Sequence, residues 1–347
     1  MALAGFKLTY DFGDPAAEAM TCRTDCALFD FSFLECARIT GHRARDVIEM
    51  FTGRSMAALE ENEIFYALRV GSGGRVDADW TVWRTGANSF DVMSGRREDI
   101  LDLLSCSGPG VAVVDMTPGR ATFAVQGPRT LDVLRKLGDV AGIESLKYFT
   151  FDRACFAGIP CTIGRLGYTG EAGFEIIVDR GQARDLWDAM SSHVAPAGFI
   201  AADMLRIEAG FVLFSNEFRL SVSPSEVGLE KFGRPTDPLK PAVMLVSFLA
   251  DVDRRSWPWQ PTRDLRRPSA LGEIVVTSAC ESVAAGSILG LGYVLAGTSP
   301  NTVLHDSTGT FRNIRLAPKP FYDTLKRRPR DPWLQSGGGL DRQPRPS

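Results

Sequence analysis

The chain has 347 residues, 44% of them hydrophobic and 23% charged, and its formal net charge at pH 7 is −3. This composition is typical of a globular protein of two or three domains. The slightly negative charge argues against a surface that binds nucleic acid or an acidic membrane, and no apolar stretch is long enough to span a bilayer.

An internal repeat organises the first two thirds of the chain. Residues 41–51 (GHRARDVIEMF) and 127–137 (GPRTLDVLRKL) each follow an apolar run and begin an amphipathic helix. Residues 89–105 and 173–191 each read as a strand, a turn and a helix with an apolar stripe. Both pairs are separated by roughly 85 residues, which predicts two related α+β modules.

The expected domain boundaries follow from this repeat. We place the modules at about 41–110 and 111–240 and expect residues 1–40 to pack on the second. Short strand-like runs such as GEIVVTSA and SILGLGYVL then predict a small β-barrel over 241–326. The tail at 327–347 is rich in Gly, Pro and Arg and is predicted to be disordered. The expected fold class is therefore α+β.

A hairpin is predicted in the first module, because GSGG separates two apolar runs. Period-two alternation divides its second strand between two faces. One face carries Val76, Ala78, Trp80 and Val82, and the other carries Asp77, Asp79, Thr81 and Trp83. Asp77 and Asp79 would lie about 7 Å apart on one face, where like charge and partial burial would raise a carboxyl pKa.

Carboxylates are the best candidates for a chemical role. The seven cysteines form no CxxC pair, so neither a disulfide framework nor a metal site is indicated. The chain start also lacks the pattern of a signal peptide, and a reducing cytoplasm is the expected location. Three histidines argue against a histidine triad. What remains are strand acids, which are commonly solvent-facing: Asp77, Asp79, Asp91 and Glu175.

Glu175 is unusual because it lies between Phe174 and Ile176 in an apolar strand. A carboxylate in a pocket can accept two parallel N–H bonds from a planar donor edge, as it does from guanidinium. The N3–H and 2-amino group of a pterin present such an edge. Glu175 fits that task, with Tyr168 as an aromatic wall, and Asp79 would perform the chemistry.

Five segments together resemble one protein family. They are RLGYTGEAGFE at 165–175, VQGPRTLDVL at 125–134, DMLRIEAGF at 203–211, SPSEVGLEKF at 223–232 and GEIVVTSACESVAAGSILGLGYV at 272–294. The chain from about residue 18 to 326 is similar to the aminomethyltransferase (T-protein) of the glycine cleavage system. Its relatives include folate-dependent demethylases and the folate domains of sarcosine and dimethylglycine dehydrogenases.

The resemblance implies a ring of three domains, a cloverleaf, with tetrahydrofolate in a central hole. It implies a one-carbon transferase whose catalytic aspartate is Asp79, in the segment GRVDAD; a shifted register would put Ala78 there instead. Cofactor contacts are then expected from Glu175, which meets the pterin, and from four further residues. These are Tyr168, Gln126 of the QGP segment, Asp77 and the C-terminal Tyr322.

The donor of the one-carbon unit stays open at this point. The T-protein arginine falls on Ala202 and an asparagine falls on Gly95, and both departures bear on transfer from a lipoyl carrier protein. The donor would be such a carrier or a small methylated amine, ether or sulfonium compound. Two alternatives are a non-catalytic folate-binding assembly factor of the iron–sulfur maturation type and the folate-binding subunit of a multi-chain amine oxidase with a flavin partner.

Overall fold

The computed structural model describes residues 2, 3, 6–234, 240–253, 255, 257–261, 265–331 and 333. The chain begins with a short hairpin, β1 (Ala2–Leu3) and β2 (Phe6–Lys7), followed by α1 (Pro15–Thr24) and β3 (Ala27–Asp30). The α1 helix starts at Asp14, whose carboxylate accepts the free backbone N–H groups of Ala16 and Ala17.

The first module is a five-stranded antiparallel sheet with two helices on one face. Its strands are β4 (Glu35–Thr40), β5 (Ile64–Val70), β6 (Val76–Gly86), β7 (Ser89–Ser94) and β8 (Ala112–Asp115), in the order β5-β6-β7-β4-β8. The helices are α2 (Ala44–Thr52) and α3 (Arg97–Ser105). Apolar residues of both helices, such as Ile48 and Ile100, pack on Trp80 and Val82 of β6.

The second module repeats this arrangement. Its strands are β9 (Arg120–Gln126), β10 (Phe151–Phe156), β11 (Ile159–Gly164), β12 (Gly173–Asp179) and β13 (Ala195–Ala197), joined by β3 in the order β10-β11-β12-β9-β3-β13. Its helices are α4 (Thr130–Leu137), α5 (Ala183–Ser191) and α6 (Phe199–Glu208). The order β10-β11-β12-β9 matches β5-β6-β7-β4 of the first module, which confirms the two related modules.

The module boundaries differ from the predicted ones. We expected residues 1–40 to pack on the second module, and β3 does so by pairing with β9. The next strand, β4, belongs instead to the first sheet, where it pairs with β7 and β8. The chain therefore crosses from one sheet to the other within the few residues between β3 and β4, a crossing that hydrophobic periodicity alone does not reveal.

The third unit is a small barrel-like sheet, as predicted. Two short helices lead to it, α7 (Phe214–Glu217) and α8 (Pro224–Val227). Its strands are β14 (Val243–Val252), β15 (Glu273–Ser282), β16 (Ser287–Leu295), β17 (His305–Asp306) and β18 (Phe311–Ala317), in the order β17-β15-β16-β14-β18. A single bridge between Leu304 and Ile314 brings the two edges of the sheet together and nearly closes it.

The three units pack on one another through shared apolar clusters. One cluster combines Leu68 of the first sheet, Phe29 of the second and Leu291 of the barrel. A second cluster joins the helix-free faces of the two sheets, with Trp83 and Met93 meeting Phe151 and Ile177. The expected α+β fold of three domains is therefore confirmed. No helix in the described part of the chain combines the length and the apolar character needed to cross a bilayer.

Part of the predicted disordered tail is ordered. Trp333 stacks on Phe174 of the second module, with ring centroids 5.3 Å apart, and Arg328 forms an ion pair with Glu171 at 3.2 Å. The prediction of disorder is therefore wrong for 327–331 and for Trp333, because an aromatic anchor outweighs the polar composition around it. The rest of the predicted tail, residue 332 and 334–347, lies outside the described residues.

Gly164 permits the close approach of the two sheets. A Cβ atom there would lie 2.2 Å from the Trp83 ring of the first module. We expect Gly164→Ala to destabilise the protein by roughly 1–3 kcal/mol through overpacking, measured by urea unfolding. Gly142→Ala is the matched control, because nothing lies within 4 Å of its added Cβ. Equal stability of the two variants would contradict this packing.

Candidate functional site

Asp79 lies in the middle of β6, on the face directed away from the module's helices. Its neighbour Ala78 is 1% exposed and packs in the core on the helix side. The shifted register, which puts Ala78 at the catalytic position, would therefore assign that position to a buried methyl group. Asp79 is partly buried and pairs in register with Leu68 of β5. The structure therefore gives Asp79, and not Ala78, access to the space outside the core.

Asp77 does not share this face, which corrects the prediction. Arg69 pairs with Ala78 but Val70 pairs with Val76, so Asp77 is the extra residue of a β-bulge. Its carboxylate lies 3.8 Å from the Arg69 guanidinium, which also binds α3 through Asp99. Asp77 thus points toward the helix side, and neither the expected coupling to Asp79 nor a folate contact fits its position.

Asp79 is instead perturbed by burial and by other groups. Burial raises its pKa to about 6, and the charges of Asp99 and Glu217 act in the same direction. The hydroxyl of Tyr66 donates to Oδ2 at 3.2 Å and opposes the shift. No arginine or lysine in the described part of the chain pairs with this carboxylate. Asp79 is therefore a carboxylate that ionises near neutrality and has no cationic partner.

Glu175 lies on β12, on the face that meets the first module. It is 7% exposed, and its strand neighbour Ile177 packs in the cluster between the two sheets. Its carboxyl group has no hydrogen-bond or ion-pair partner among the described residues. Burial alone raises its pKa to about 7. A largely buried carboxyl group without a protein partner is available to accept donors from a ligand.

The internal repeat supplies a comparison for Glu175. Asp91 holds the equivalent position in the first module, on β7, and is fully compensated: Arg38 binds it at 2.7 Å and Arg120 at 2.8 Å. The residue paired with Asp91 on β4 is Arg38, whereas the residue paired with Glu175 on β9 is Ala124. The same acid position is therefore an ion pair in one module and an open acceptor in the other.

Tyr168 lies in the glycine-rich loop between β11 and β12. Its hydroxyl donates to the Val212 carbonyl at 2.6 Å, and its ring stacks on Phe211 at 6.0 Å. Burial raises its pKa, Arg206 opposes the shift, and Asp79 adds to it. Tyr168 is partly exposed and lies within electrostatic reach of Asp79. Tyr168 thus lies in the same region of the fold as Asp79, and its role as an aromatic wall stays a prediction.

Gln126 has a different role from the one predicted. It is fully buried, and its amide nitrogen donates to the carbonyls of Leu166 and Phe174 while its oxygen accepts from Thr169. A Cβ on Gly167 would lie 1.9 Å from that oxygen. Two of these amide contacts go to the loop that carries Tyr168 and one goes to Phe174 at the start of β12, so Gln126 positions this loop.

Tyr322 is also committed to protein contacts. Its hydroxyl donates to Glu171 at 2.6 Å, and the Arg23 guanidinium lies 3.7 Å from the centre of its ring. Arg23 in turn forms ion pairs with Glu171 at 3.1 Å and Glu208 at 2.7 Å. Tyr322 therefore joins the C-terminal segment to α1 and α6, and its hydroxyl is not free for a ligand.

Two residues of this region were not among the predicted site residues. One is Tyr66, whose place on β5 opposite Thr81 puts its hydroxyl on the Asp79 face. The other is the fully buried Arg206, which binds Glu217 at 2.9 Å and Ser278 at 2.6 Å. Arg206 lies in the apolar helix sequence AADMLRIEAG, where a charge signals a buried ion pair. Tyr66 gave no comparable signal, because tyrosine is common in strands.

The Tyr66 hydrogen bond should be visible in the titration of Asp79. Removing it in Tyr66→Phe takes away a group that stabilises the ionised form, so the pKa of Asp79 should rise above about 6. Carboxyl ¹³C NMR, assigned with Asp79→Asn, measures this. The exposed Tyr10 provides the control Tyr10→Phe, which should leave the value unchanged. A fall of the pKa in Tyr66→Phe would contradict the assignment.

Comparison with known proteins shows the family to which the chain belongs. The profile of the GCVT N-terminal domain matches residues 2–234. An aminomethyltransferase of Streptomyces avermitilis is 29% identical over 93% of both chains, and one of Clostridium botulinum is 31% identical over 66% of this chain and 64% of its own. The crystal structure of glycine cleavage system aminomethyltransferase T from Bartonella henselae has the same fold, with a TM-score of 0.77, 23% identity, and coverage of 93% of this chain and 94% of that one. The chain therefore belongs to the glycine cleavage T-protein (GCVT) family of aminomethyltransferases.

Proposed function

We propose that this protein moves a methylene or methyl unit from a small donor, or from a carrier-bound aminomethyl group, to N5 of tetrahydrofolate. Membership of the aminomethyltransferase family makes it a one-carbon transferase. The finer assignment is supported by one observation above all. A buried carboxyl group without a partner, Glu175, lies on the same inter-module side of the fold as an ionisable carboxyl group, Asp79.

The residues present suit a pterin. Glu175 lacks the donors that the equivalent Asp91 receives from two arginines. The N3–H and 2-amino group of a pterin would supply two parallel donors of the kind that guanidinium supplies to a carboxylate. Of the two strand neighbours of Glu175, Ala124 is small, whereas the Trp83 ring covers Gly164. Tyr168 supplies an aromatic surface for the rest of the ligand.

Asp79 would handle the proton and the charge of the reaction. When bound, tetrahydrofolate supplies a nucleophilic nitrogen for the one-carbon unit. With its pKa at about 6, Asp79 is mostly ionised at pH 7 and can accept a proton at Oδ1, while Tyr66 holds Oδ2. The same carboxylate would stabilise a developing iminium cation, an effect that is strongest in a partly dry site.

Turnover separates this proposal from its main alternative. A non-catalytic assembly factor would bind folate and release no product, whereas a transferase produces 5-methyl- or 5,10-methylene-tetrahydrofolate. A screen of donors with tetrahydrofolate, following both products, therefore tests the reaction class. A lipoyl carrier bearing an aminomethyl group and small methylated amines form the two arms of that screen.

Replacing Asp79 should affect product formation, and replacing Glu175 should affect tetrahydrofolate binding. We expect Asp79→Asn to lower product formation by at least about 100-fold while tetrahydrofolate still binds, because general base catalysis is lost. Glu175→Gln should weaken tetrahydrofolate binding by at least about tenfold through the loss of a charge-assisted pair. Calorimetry and single-turnover kinetics measure the two effects, with the exposed Asp152→Asn as control. Wild-type turnover of Asp79→Asn, or wild-type affinity of Glu175→Gln, would refute the respective role.

Folate affinity should also depend on pH through Glu175. The carboxylate form accepts the two donors, so protonation below its pKa of about 7 should weaken binding. We expect the affinity of the wild type to rise from pH 6 to pH 8. Glu175→Gln has no titrating group at this position and should show a flatter profile. The variant also serves as the control for titration of the ligand, because that titration affects both proteins equally. Parallel profiles of the two proteins would argue against Glu175 as the contact.

A further inference from the structure

Gly95, just after β7, has no side chain, and the aromatic ring of Phe214 covers this position near Asp79. The ladder between β6 and β7 ends with the pair Trp80 and Ser94. Continued by one residue, it would set Asp79 opposite Gly95, with side-chain positions about 5 Å apart on one face. A Cβ on Gly95 would lie 2.4 Å from Cε1 of Phe214. The ring of Phe214 therefore occupies the space that a side chain at position 95 would fill.

Two further aromatic rings border the same carboxylate. Tyr66 donates its hydroxyl to Asp79 at 3.2 Å, and Tyr168 lies within electrostatic reach of both Tyr66 and Asp79. The hydroxyl of Tyr168 is engaged by the Val212 carbonyl. Like Phe214, both tyrosines are partly exposed. What the three side chains offer to a ligand is therefore mainly aromatic ring surface, with Asp79 as the charged group among them.

The charged group in direct contact with these rings is Asp79, through the Tyr66 hydroxyl. Asp79 forms no ion pair in the described part of the chain, and Tyr168 is influenced by three acids, Asp79, Glu217 and Asp203. Arg206 is bound to Glu217 and Asp203. Other cations also lie close to the rings: Arg54 donates to the Tyr66 carbonyl, and Lys326 lies 4.5 Å from the centre of the Phe211 ring that stacks on Tyr168. Asp79 is therefore the group that would face a bound cation.

We propose that Phe214, seated over Gly95, completes with Tyr66 and Tyr168 an aromatic enclosure beside Asp79 that binds a methylated ammonium group of the one-carbon donor. Aromatic faces with one carboxylate suit a quaternary ammonium, which has no N–H group to satisfy. A primary ammonium needs three acceptors, and Asp79 is the main acceptor that these side chains offer. The proposal rests on the proposed function and specifies its donor.

The corresponding methyl transfer needs no oxidant. The C–N bond of a quaternary donor breaks, and its electron pair leaves with a neutral tertiary amine. The methyl group forms its new bond to the acceptor nitrogen, and the proton displaced from that nitrogen passes to the Asp79 carboxylate. Phe214 would act in this scheme as a residue that determines donor specificity.

Calorimetry on the full chain at pH 8, without folate, tests the enclosure. The probes are choline chloride and its neutral isostere 3,3-dimethylbutan-1-ol. We expect choline to bind at least tenfold more tightly than the isostere, since a cation–π contact contributes about a factor of ten. Phe214→Leu should lose about tenfold in choline affinity and Phe214→Tyr should keep it. The matched control is Phe12→Leu, which changes a phenylalanine that is 49% exposed.

Three results would overturn the enclosure: equal binding of the two probes, wild-type choline affinity of folded Phe214→Leu, or no choline binding by the folded wild type. If Phe214→Leu does not fold, the comparison of choline with its isostere and the Phe214→Tyr variant still test the aromatic enclosure. A separate titration with tetrahydrofolate keeps the two proposals apart. Choline binding without folate binding defeats only the proposed function, and folate binding without choline binding defeats only the enclosure.

Discussion

An uncompensated carboxyl group at the contact between two sheets is the feature on which the functional interpretation depends. Burial shifts the pKa of Glu175 from 4.5 to about 7, which corresponds to a cost of about 3 kcal/mol once the group is ionised. Because the pKa in the folded state is raised, this cost is absent at acidic pH and grows as the pH rises from about 4.5 to 7. Such a cost in the ligand-free fold is offset when a ligand supplies the missing donors.

The duplicated modules show how this acceptor arises. In the first module the acid Asp91 pairs with Arg38, and its position is purely structural. In the second module Ala124 stands in place of the arginine, and Gly164 admits the Trp83 ring from the opposite sheet. One repeat thus neutralises its acid with arginine, and the other leaves its acid without a cationic partner among the described residues. The two acids of the proposed site, Asp79 and Glu175, lie on non-equivalent strands, β6 and β12, and come from different modules.

Much of this could be predicted from the sequence, because it depends on local pattern. The repeat, the barrel strands and the apolar surroundings of Glu175 are all periodic or compositional signals. The errors arose where tertiary contacts override pattern. A β-bulge turned Asp77 to the opposite face from Asp79, packing buried the amide of Gln126 within a loop, and Trp333 ordered a segment of polar composition. Each depends on partners distant in sequence.

The most direct measurement is a crystal structure of the protein with tetrahydrofolate bound. The account predicts the pterin ring between the two modules, with its N3–H and 2-amino group donating to the two oxygens of Glu175. It also predicts that Asp79 lies on the side of the ligand where the one-carbon unit is received. A structure in which the pterin binds elsewhere, while the Glu175 carboxyl group stays buried and without a donor, would contradict the account.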